Sequence, residues 1–251
     1  MIEITRIEQT MVLALNQPHR GNALSEPLVE SLIGAITNGI DDPSIHTLVI
    51  TAAGKHFCTG FDIGDRASAA DTDAGHAATD GPLLWRFARI EQLLSLLWHA
   101  PLRTVAVAQG RAWGAGADLF AACDLRYATG DAQWRFPGAG FGLVLGTRRL
   151  SEVVGQARAM DWIAHGRAID ASGAIESGLA RALLEQADGW HAQLPPLAVD
   201  RATYAQLKAA SRPDQRDADL AALVRSGALP GLAKRLQDYK NRSAPRNQDE
   251  R

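Results

Sequence analysis

Two glycine-rich segments carry the residues best suited to chemistry in this sequence. They are KHFCTGFDI at Lys55–Ile63 and GRAWGAGADL at Gly110–Leu119, and each directly follows an apolar run that predicts a buried strand. Glycine at the end of a strand lets the backbone approach a ligand closely. The second segment also leads into a predicted helix, whose first N–H groups have no partner within the helix and lie at the positive end of its dipole. Two N–H donors aimed at one oxygen could stabilise an oxyanion there.

Three other functions of glycine-rich loops can be discounted, because the sequence lacks the residues that each of them requires. The Walker phosphate loop needs a terminal Gly-Lys-Ser/Thr, which the sequence lacks. The dinucleotide fingerprint needs a further glycine, which the segment from Gly114 to Leu119 misses. No G-x-S-x-G nucleophile elbow occurs, which argues against an unrelated α/β hydrolase or peptidase.

The remaining reactive side chains form no recognisable constellation. Cys58 precedes the glycine turn of the first segment, and we interpret it as a buried core residue rather than a nucleophile. His19, His56 and His76 are scattered, and no pair has the spacing of metal ligands, so we predict no metal. The two cysteines, Cys58 and Cys123, make no disulfide framework, which favours reduced thiols.

Apolar periodicity predicts the elements that must position these segments. Strands are expected at residues 2–8, 10–16, 46–51, 104–110 and 125–129. A helix is expected from Glu26 with Ser25 as its cap, and another follows along the stripe from Leu84 to Leu97. This alternation predicts an α/β fold with crossover helices. The Ala-, Gly- and Asp-rich segment Gly64–Gly81 predicts a mobile loop that could act as a lid.

Composition limits the partners and the location that we expect. The 251 residues carry a formal net charge of −2, so there is no basic excess that would favour nucleic acid. The N-terminal residues lack the pattern of a signal peptide, and no window has the roughly 18 consecutive apolar residues of a membrane span. We therefore expect a cytoplasmic protein that binds neither nucleic acid nor a membrane.

Six blocks of the sequence, taken in order, resemble the crotonase (enoyl-CoA hydratase/isomerase) superfamily. They are LNQPHRGNALS (Leu15–Ser25), LVITAAGKHFCTGFDI (Leu48–Ile63), VAVAQGRAWGAGADLFAACDLRYAT (Val105–Thr129), AQWRFPG (Ala132–Gly138), GTRRL (Gly146–Leu150) and GRAIDASGAIESGLA (Gly166–Ala180). The resemblance covers roughly residues 1–185. It implies a crotonase-like spiral of ββα units over residues 1–190 and a C-terminal helical trimerisation region over residues 191–251. It also implies an acyl-coenzyme A substrate, no permanently bound cofactor, and a homotrimer or a dimer of trimers.

The same resemblance implies roles for individual residues. The oxyanion donors would be the N–H of Phe61, which follows the glycine of FCTGFD, and the N–H of Ala115, the middle residue of Gly-Ala-Gly. Alanine in place of the family's glycine is acceptable, since a residue at a helix start does not need a positive φ. Backbone atoms around Ala23, Phe61, Asp62 and Ile63 would line the adenine and pantetheine path, with Arg20 and Lys55 as phosphate contacts.

Hydratases of this family use two glutamates, and this sequence departs from that pattern at both positions. The first position holds Asp118, whose shorter side chain would place its carboxylate roughly 1–1.5 Å further back. The second position, after Pro137, holds Gly138, and no Asp, Glu, His or Tyr occurs from Ala132 to Ser151. Two-carboxylate hydration and simple isomerisation are therefore not expected. Chemistry that needs an oxyanion hole and at most one carboxylate remains, such as decarboxylation or cleavage of a C–C or thioester bond.

Two functions stay open at this point. The first is an acyl-CoA-processing lyase or isomerase in which Asp118 moves a proton or orients water. The second is a CoA-binding or assembly protein of this fold without catalysis, in which Asp118 is only a first-turn acid favoured by the helix dipole. We interpret Asp62 and Asp124 as structural residues.

The larger side chains near the expected site could be structural or could bind the acyl group. Arg135, Arg148 and Arg149 could bind an acidic acyl group, although a solvated surface position is the commoner fate of arginine and is the one we favour. Three tryptophans near the expected site should pack in the core or form the wall of an acyl pocket: Trp85, Trp113 and Trp134.

Overall fold

The computed structural model describes residues 1–64 and 73–243 of the chain. Within these ranges the strands are β1 (Ile2–Ile7), β2 (Thr10–Leu15), β3 (Thr47–Ala52), β4 (Arg103–Ala108), β5 (Arg111–Trp113), β6 (Leu125–Thr129), β7 (Gln133–Arg135), β8 (Ala168–Ile169) and β9 (Ala182–Leu184). The α-helices are α1 (Glu26–Asp41), α2 (Asp73–His99), α3 (Ala115–Ala121), α4 (Thr147–Val154), α5 (Gln156–Ala164), α6 (Ala171–Glu176), α7 (Trp190–Gln193), α8 (Arg201–Ser211), α9 (Arg216–Gly227) and α10 (Leu232–Ser243). None of these helices combines the length and the apolar character needed to cross a membrane.

The main sheet has six strands in the order β1-β2-β3-β4-β6-β9. The first two strands are antiparallel, with Ile2 opposite Leu15, and each later neighbour in the sheet is parallel. Helices connect the parallel strands, so the predicted α/β class is confirmed. The sequence predicted every strand of this sheet except β9, whose three residues are too few to show a periodic pattern.

A second, three-stranded sheet has the order β5-β7-β8. The first two of these strands are parallel and the last pair is antiparallel. Each strand is only two or three residues long, and none was predicted, because backbone pairing rather than side-chain alternation defines them. This small sheet carries the second glycine-rich segment.

The core lies mainly between the main sheet and its helices. Ser25 caps α1 by accepting the N–H of Leu28 at 3.4 Å, as the sequence predicted. The apolar stripe of this helix is buried, with Leu28, Leu32 and Ile36 fully inaccessible to solvent. A smaller cluster around Val105 and Tyr127 lies apart from this core. Because apolar burial is the main favourable contribution to folding, these two clusters fix the strands whose ends carry the site.

The predicted loop over Gly64–Gly81 is wrong for its second half. Asp73 already begins α2, and residues 65–72 lie outside the described residues. The carboxylate of Asp80 accepts the N–H groups of Gly231 and Ala233 at 2.9 and 2.8 Å. This contact anchors the segment against the C-terminal part of the chain, which overrides the weak helix propensity of its Gly and Pro residues.

The C-terminal helices pack against the core through buried charged groups. Asp124 forms ion pairs with Lys208 at 2.9 Å and Arg212 at 2.8 Å, and it also accepts the hydroxyl of Tyr204 at 3.1 Å. Thr104, at the start of the adjacent strand, donates its N–H to the same carboxylate. Asp124 is therefore a structural residue that attaches α8 to the sheet, as the sequence indicated.

Candidate active site

The fold brings the two glycine-rich segments together edge to edge. Cys58 pairs with Ala112 in a parallel bridge, and its carbonyl accepts the N–H of Trp113 at 2.9 Å. Gly60 follows with a φ of +95°, and a Cβ on it would stand 2.5 Å from the carbonyl oxygen of Trp113 and 3.5 Å from the backbone nitrogen of Ala115. Only glycine can occupy this position without displacing the second segment. The N–H that follows Gly60 therefore lies beside the start of α3.

Two backbone N–H groups at this junction have no internal acceptor. Gly114 adopts φ +53° and ψ −127° and donates its own N–H to Arg135 O at 2.8 Å, which fixes the entry into α3. Among the described residues, the N–H groups of Phe61 and Ala115 donate to no protein acceptor. Both residues line one cavity. Ala115 has a negative φ, as expected for a helix start.

This cavity has a volume of about 310 Å³. Its wall is largely apolar and includes Ile63, Phe87, Phe136, Phe141, Leu143, Leu145, Ile163 and Leu236. The ring of Phe61 stacks on that of Phe87 with centroids 4.3 Å apart. The titratable side chains among the described lining residues are those of Asp118, Arg135 and Tyr239. Such a cavity suits a small, mostly apolar group with a few polar contacts.

Asp118 is held in the first turn of α3, where its backbone N–H donates to Gly114 O at 3.0 Å. Its carboxyl accepts no hydrogen bond from the described residues. Burial raises its pKa to about 7, while the positive charge of Arg149 lowers the pKa and the negative charge of Glu91 raises it. A carboxyl with a pKa near neutrality exchanges a proton readily at physiological pH, as a general acid or base must.

A buried ion-pair network extends from Arg149. Arg149 is 1% exposed and donates to both oxygens of Glu91, at 2.9 and 2.5 Å. It also contacts Asp219 at 3.0 Å, and Asp219 is bound in addition by Arg148 at 2.8 and 2.6 Å. The expectation that these arginines lie on the solvated surface is therefore wrong for Arg149. Both guanidinium groups are already paired with protein carboxylates, since two acidic residues distant in sequence meet them here.

The position expected from the resemblance to hold a second acid, Gly138, lies in a 3₁₀ helix at Pro137–Phe141. Gly138 lines the cavity there, and a Cβ on it would stand 3.1 Å from Leu143 O. Of the lining residues that the structure describes, Asp118 carries the only carboxyl group. The described lining residues are compatible with at most one catalytic carboxylate, which stays a prediction.

Of the residues expected along a coenzyme A path, two line the cavity and the others lie outside its wall. Phe61 and Ile63 line the cavity. Asp62 accepts the N–H of Gly64 and forms an ion pair with Arg20 at 2.9 Å, so it holds the loop that follows Phe61. Ala23 lies outside the cavity wall, in the turn between Arg20 and Leu24. Lys55 is exposed and forms no hydrogen bond or ion pair with another described side chain.

Three side chains that shape the site were missed at the sequence level. Asn22 is fully buried, and its amide donates to Ala53 O at 3.0 Å and His56 O at 2.8 Å, which fixes the approach to the first segment. Leu236 and Tyr239 reach the cavity from α10. No sequence pattern near the glycine-rich segments could indicate that these two side chains reach the cavity, since α10 lies about a hundred residues further along the chain. The buried position of Asn22 has a weak local signal, a polar residue in the turn RGNA.

The three tryptophans and Cys58 lie in different parts of the structure. Trp113 lines the cavity, and Trp134 is fully buried in the core against Phe120. Trp85 is 61% exposed and lies in a separate groove, so its expected place near the site is wrong, because it occupies the solvent face of α2. Burial raises the pKa of Cys58 to about 12, which agrees with a core role and not with a nucleophile.

Comparison with known proteins gives consistent matches. A model of the family Enoyl-CoA hydratase/isomerase matches residues 6–222. A Mycobacterium bovis protein named probable enoyl-CoA hydratase echA6 is 34% identical over 210 residues, which is 80% of each chain. A structure ascribed to the enoyl-CoA hydratase/isomerase group, from Bordetella parapertussis, superposes with a TM-score of 0.88 and 40% identity over 97% of this chain and 99% of the other. An enoyl-CoA hydratase from Bacillus halodurans shares the fold, with a TM-score of 0.77 at 20% identity over 94% of this chain and 99% of the other.

Proposed function

Because this chain belongs to the enoyl-CoA hydratase/isomerase family, we propose that it binds an acyl-CoA thioester and stabilises its enolate with the N–H groups of Phe61 and Ala115. Its fold is the crotonase fold. Coenzyme A would enter as part of the substrate, with no permanently bound cofactor. The backbone around Ala23, Asp62 and Ile63 would line its path, and Arg20 and Lys55 would contact its phosphates.

One observation carries this proposal. Two N–H groups that have no acceptor among the described residues, on two segments joined by the Cys58–Ala112 bridge, line the same cavity as a carboxyl whose pKa burial raises to about 7. An enolate forms when a proton or another group leaves the α-carbon and negative charge develops on the thioester oxygen. Donors that are already oriented toward that oxygen stabilise the charge without further reorganisation, and removing one typically costs about 3–4 kcal/mol of transition-state stabilisation.

The proposed reaction uses Asp118 as its single carboxyl. This residue would move a proton to or from the acyl group or orient a water molecule. The absence of a second carboxyl among the described lining residues argues against two-carboxylate hydration. We therefore place the reaction among those that need an oxyanion hole and at most one carboxylate, such as decarboxylation or cleavage of a C–C bond through an enolate, or cleavage of a thioester bond through a tetrahedral oxyanion.

A crotonase-fold protein that binds CoA thioesters without turning them over is the second candidate. Gly138 motivates it, because the position that would hold the second acid carries no side chain. The Asp118→Asn variant separates the two candidates when wild type and variant are compared on a panel of acyl-CoA esters. We expect wild-type turnover, a loss in the variant, and equal thioester affinity in calorimetry. Wild-type binding without turnover on every ester would favour the second candidate, and unchanged turnover in the variant would remove Asp118 from the mechanism.

The oxyanion role of Ala115 has its own test. Ala115 is the first residue of α3, a position that accepts proline well, so Ala115→Pro removes the N–H with little cost to the helix. We expect turnover to fall about 10²–10³-fold with the fold retained. The matched control is Ala171→Pro, the same change at the first residue of α6. If both variants keep full turnover, the Ala115 N–H is not a catalytic donor.

We also propose that the C-terminal helical region assembles the chain into a homotrimer or a dimer of trimers. Large apolar side chains on or next to α8 and α9 support this, since Leu207 and Leu229 are 58% and 57% exposed and Leu220 and Val224 are exposed as well. Sedimentation equilibrium measures the assembly directly. A monomer at micromolar concentration would contradict the proposal, and Leu207→Glu should dissociate the assembly if this surface forms it.

A further inference from the structure

Arg135 is one of the residues that line the proposed active-site cavity, and it carries a positive charge. It is the last residue of β7, its Cα pairs with that of Trp113, and its carbonyl accepts the N–H of Gly114 at 2.8 Å. The backbone of Arg135 therefore contacts that of Gly114, the residue before Ala115. Trp113, Ala115, Asp118 and Arg135 line the same cavity.

The guanidinium group of Arg135 is oriented by the protein. Its Nε donates to Gly166 O at 2.9 Å. Gly166 lies in the turn after α5 with a φ of +58°, and a Cβ there would stand 3.6 Å from Nη2 of Arg135. The turn therefore both holds one edge of the guanidinium group and leaves space beside it. Since Nε is bound, the directions of the two Nη groups are restricted.

The charge of Arg135 is not neutralised by the protein. In the described part of the chain its Nη groups donate to no acceptor, and no carboxylate forms an ion pair with it. Arg148 and Arg149 differ in this respect, because both are bound by Asp219. The residues that line the cavity next to it in sequence and structure, such as Phe136 and Ile163, are apolar. A partly buried cation without an anion is unfavourable, and a negatively charged ligand group would relieve this cost.

We propose, on the basis of the proposed function, that Arg135 binds a carboxylate at the far end of the acyl group, so that the substrates are CoA thioesters of short dicarboxylic acids. Two parallel N–H donors on a planar guanidinium match the two oxygens of a carboxylate. The cavity of about 310 Å³ restricts the acyl chain to a few carbons. The largely apolar wall of the cavity fits the methylene groups of such a chain.

The test compares matched thioesters by isothermal titration calorimetry of the full-length protein. Succinyl-, glutaryl- and adipyl-CoA are set against butyryl-, pentanoyl- and hexanoyl-CoA, which differ from them in the terminal carboxylate. We expect at least one dicarboxylic thioester to bind about 10–100-fold more tightly than its partner, the range typical of a charge-assisted hydrogen-bonded pair. Arg135→Met should abolish this preference, so that each dicarboxylic thioester binds the variant no more tightly than its uncharged partner does. The control is Arg158→Met, which changes an exposed arginine on α5 and should retain the preference for the dicarboxylic thioester.

The outcomes separate this inference from the proposed function on which it rests. If the wild type binds all six thioesters without preference, the carboxylate site is wrong and the thioester site stands. A preference that survives in Arg135→Met also overturns the carboxylate site. If the wild type binds none of the six, the proposed function fails, and this inference fails with it. The wild-type comparison decides the question even if Arg135→Met does not fold.

Discussion

The carboxyl of Asp118 lies so close to Gly146 that a Cβ on Gly146 would stand 2.0 Å from Asp118 Oδ1. Gly146 immediately precedes α4, the helix that carries Arg149. The acidic side chain of the site is therefore confined between the first turn of α3 and the start of α4. Its position depends on a residue that has no side chain.

Gly146→Ala should displace the Asp118 carboxyl and lower turnover. The contact is too short for the two groups to coexist, so Asp118 must rotate or α4 must move. A displacement of about 1 Å at a proton-transferring group costs about 10²-fold in rate. Steady-state kinetics on the best acyl-CoA substrate measures the effect. Gly34→Ala is the matched control, because a Cβ at Gly34 meets nothing within 4 Å; equal kinetics in the two variants would contradict the prediction.

Asp118→Asn should stabilise the protein at neutral and higher pH. Burial raises the pKa of Asp118 to about 7, so the folded state holds a proton that the unfolded chain loses near its ordinary pKa of 3.8. The stability linked to this proton is complete below about pH 4 and is lost as pH rises to about 7. The free energy of unfolding of the variant relative to wild type should rise across this window by at most about 4 kcal/mol and stay level above it. Urea unfolding from pH 4 to 9 measures this difference, and a difference independent of pH would contradict the raised pKa.

Glu91→Gln should lower the pKa of Asp118. The negative charge of Glu91 raises that pKa, and its removal also leaves the positive charge of Arg149 less compensated. If Asp118 acts as a base, kcat/KM rises with pH through this pKa, and the rise should move to lower pH in the variant. Glu152→Gln is the control, because Glu152 pairs with Arg148 at an exposed position and should leave the profile unchanged. A shift of the rise to higher pH would contradict the prediction, because it would mean that Glu91 lowers the pKa of Asp118.

Arg235→Ala should loosen α10 over the cavity. Arg235 donates to Phe141 O at 2.7 Å, to Leu229 O at 3.0 Å and to Ser226 O at 3.2 Å, so it joins the 3₁₀ helix at Pro137–Phe141 to the C-terminal helices. We expect a loss of about 2–3 kcal/mol in the free energy of unfolding. The Kd for the thioester should rise as well, because Leu236 and Tyr239 line the cavity.

The control for this variant is Lys234→Ala in the same helix. Its exposed ion pair with Asp238 should contribute less than about 1 kcal/mol. Chemical denaturation and calorimetry of both variants provide the comparison. Equal stability and affinity in Arg235→Ala and Lys234→Ala would mean that α10 does not depend on this contact.

Much of the site could be predicted because its signals are local. The strands β3 and β4 appear in the sequence as short apolar runs, and the glycines beyond them mark where the backbone must approach a ligand or another segment. The family resemblance, and not the residues alone, implied that Asp118 and Gly138 stand at the two acid positions, and this assignment stays a prediction. The sequence also predicted chemistry with at most one carboxylate, and Asp118 is the carboxyl residue among the described lining residues.

What the sequence by itself determined is thus the α/β class and the two glycine-rich segments, whereas the oxyanion donors and the single acid stay predictions. Tertiary structure decided which distant side chains meet that site. Arg149 is buried because Glu91 and Asp219, 58 and 70 positions away, converge on it. Within the described ranges, the side chain of Arg135 instead donates to a single acceptor, the carbonyl of Gly166. The physical reason is that hydrophobic periodicity specifies which face of an element is buried, but the partner of a buried charge depends on how separate elements pack.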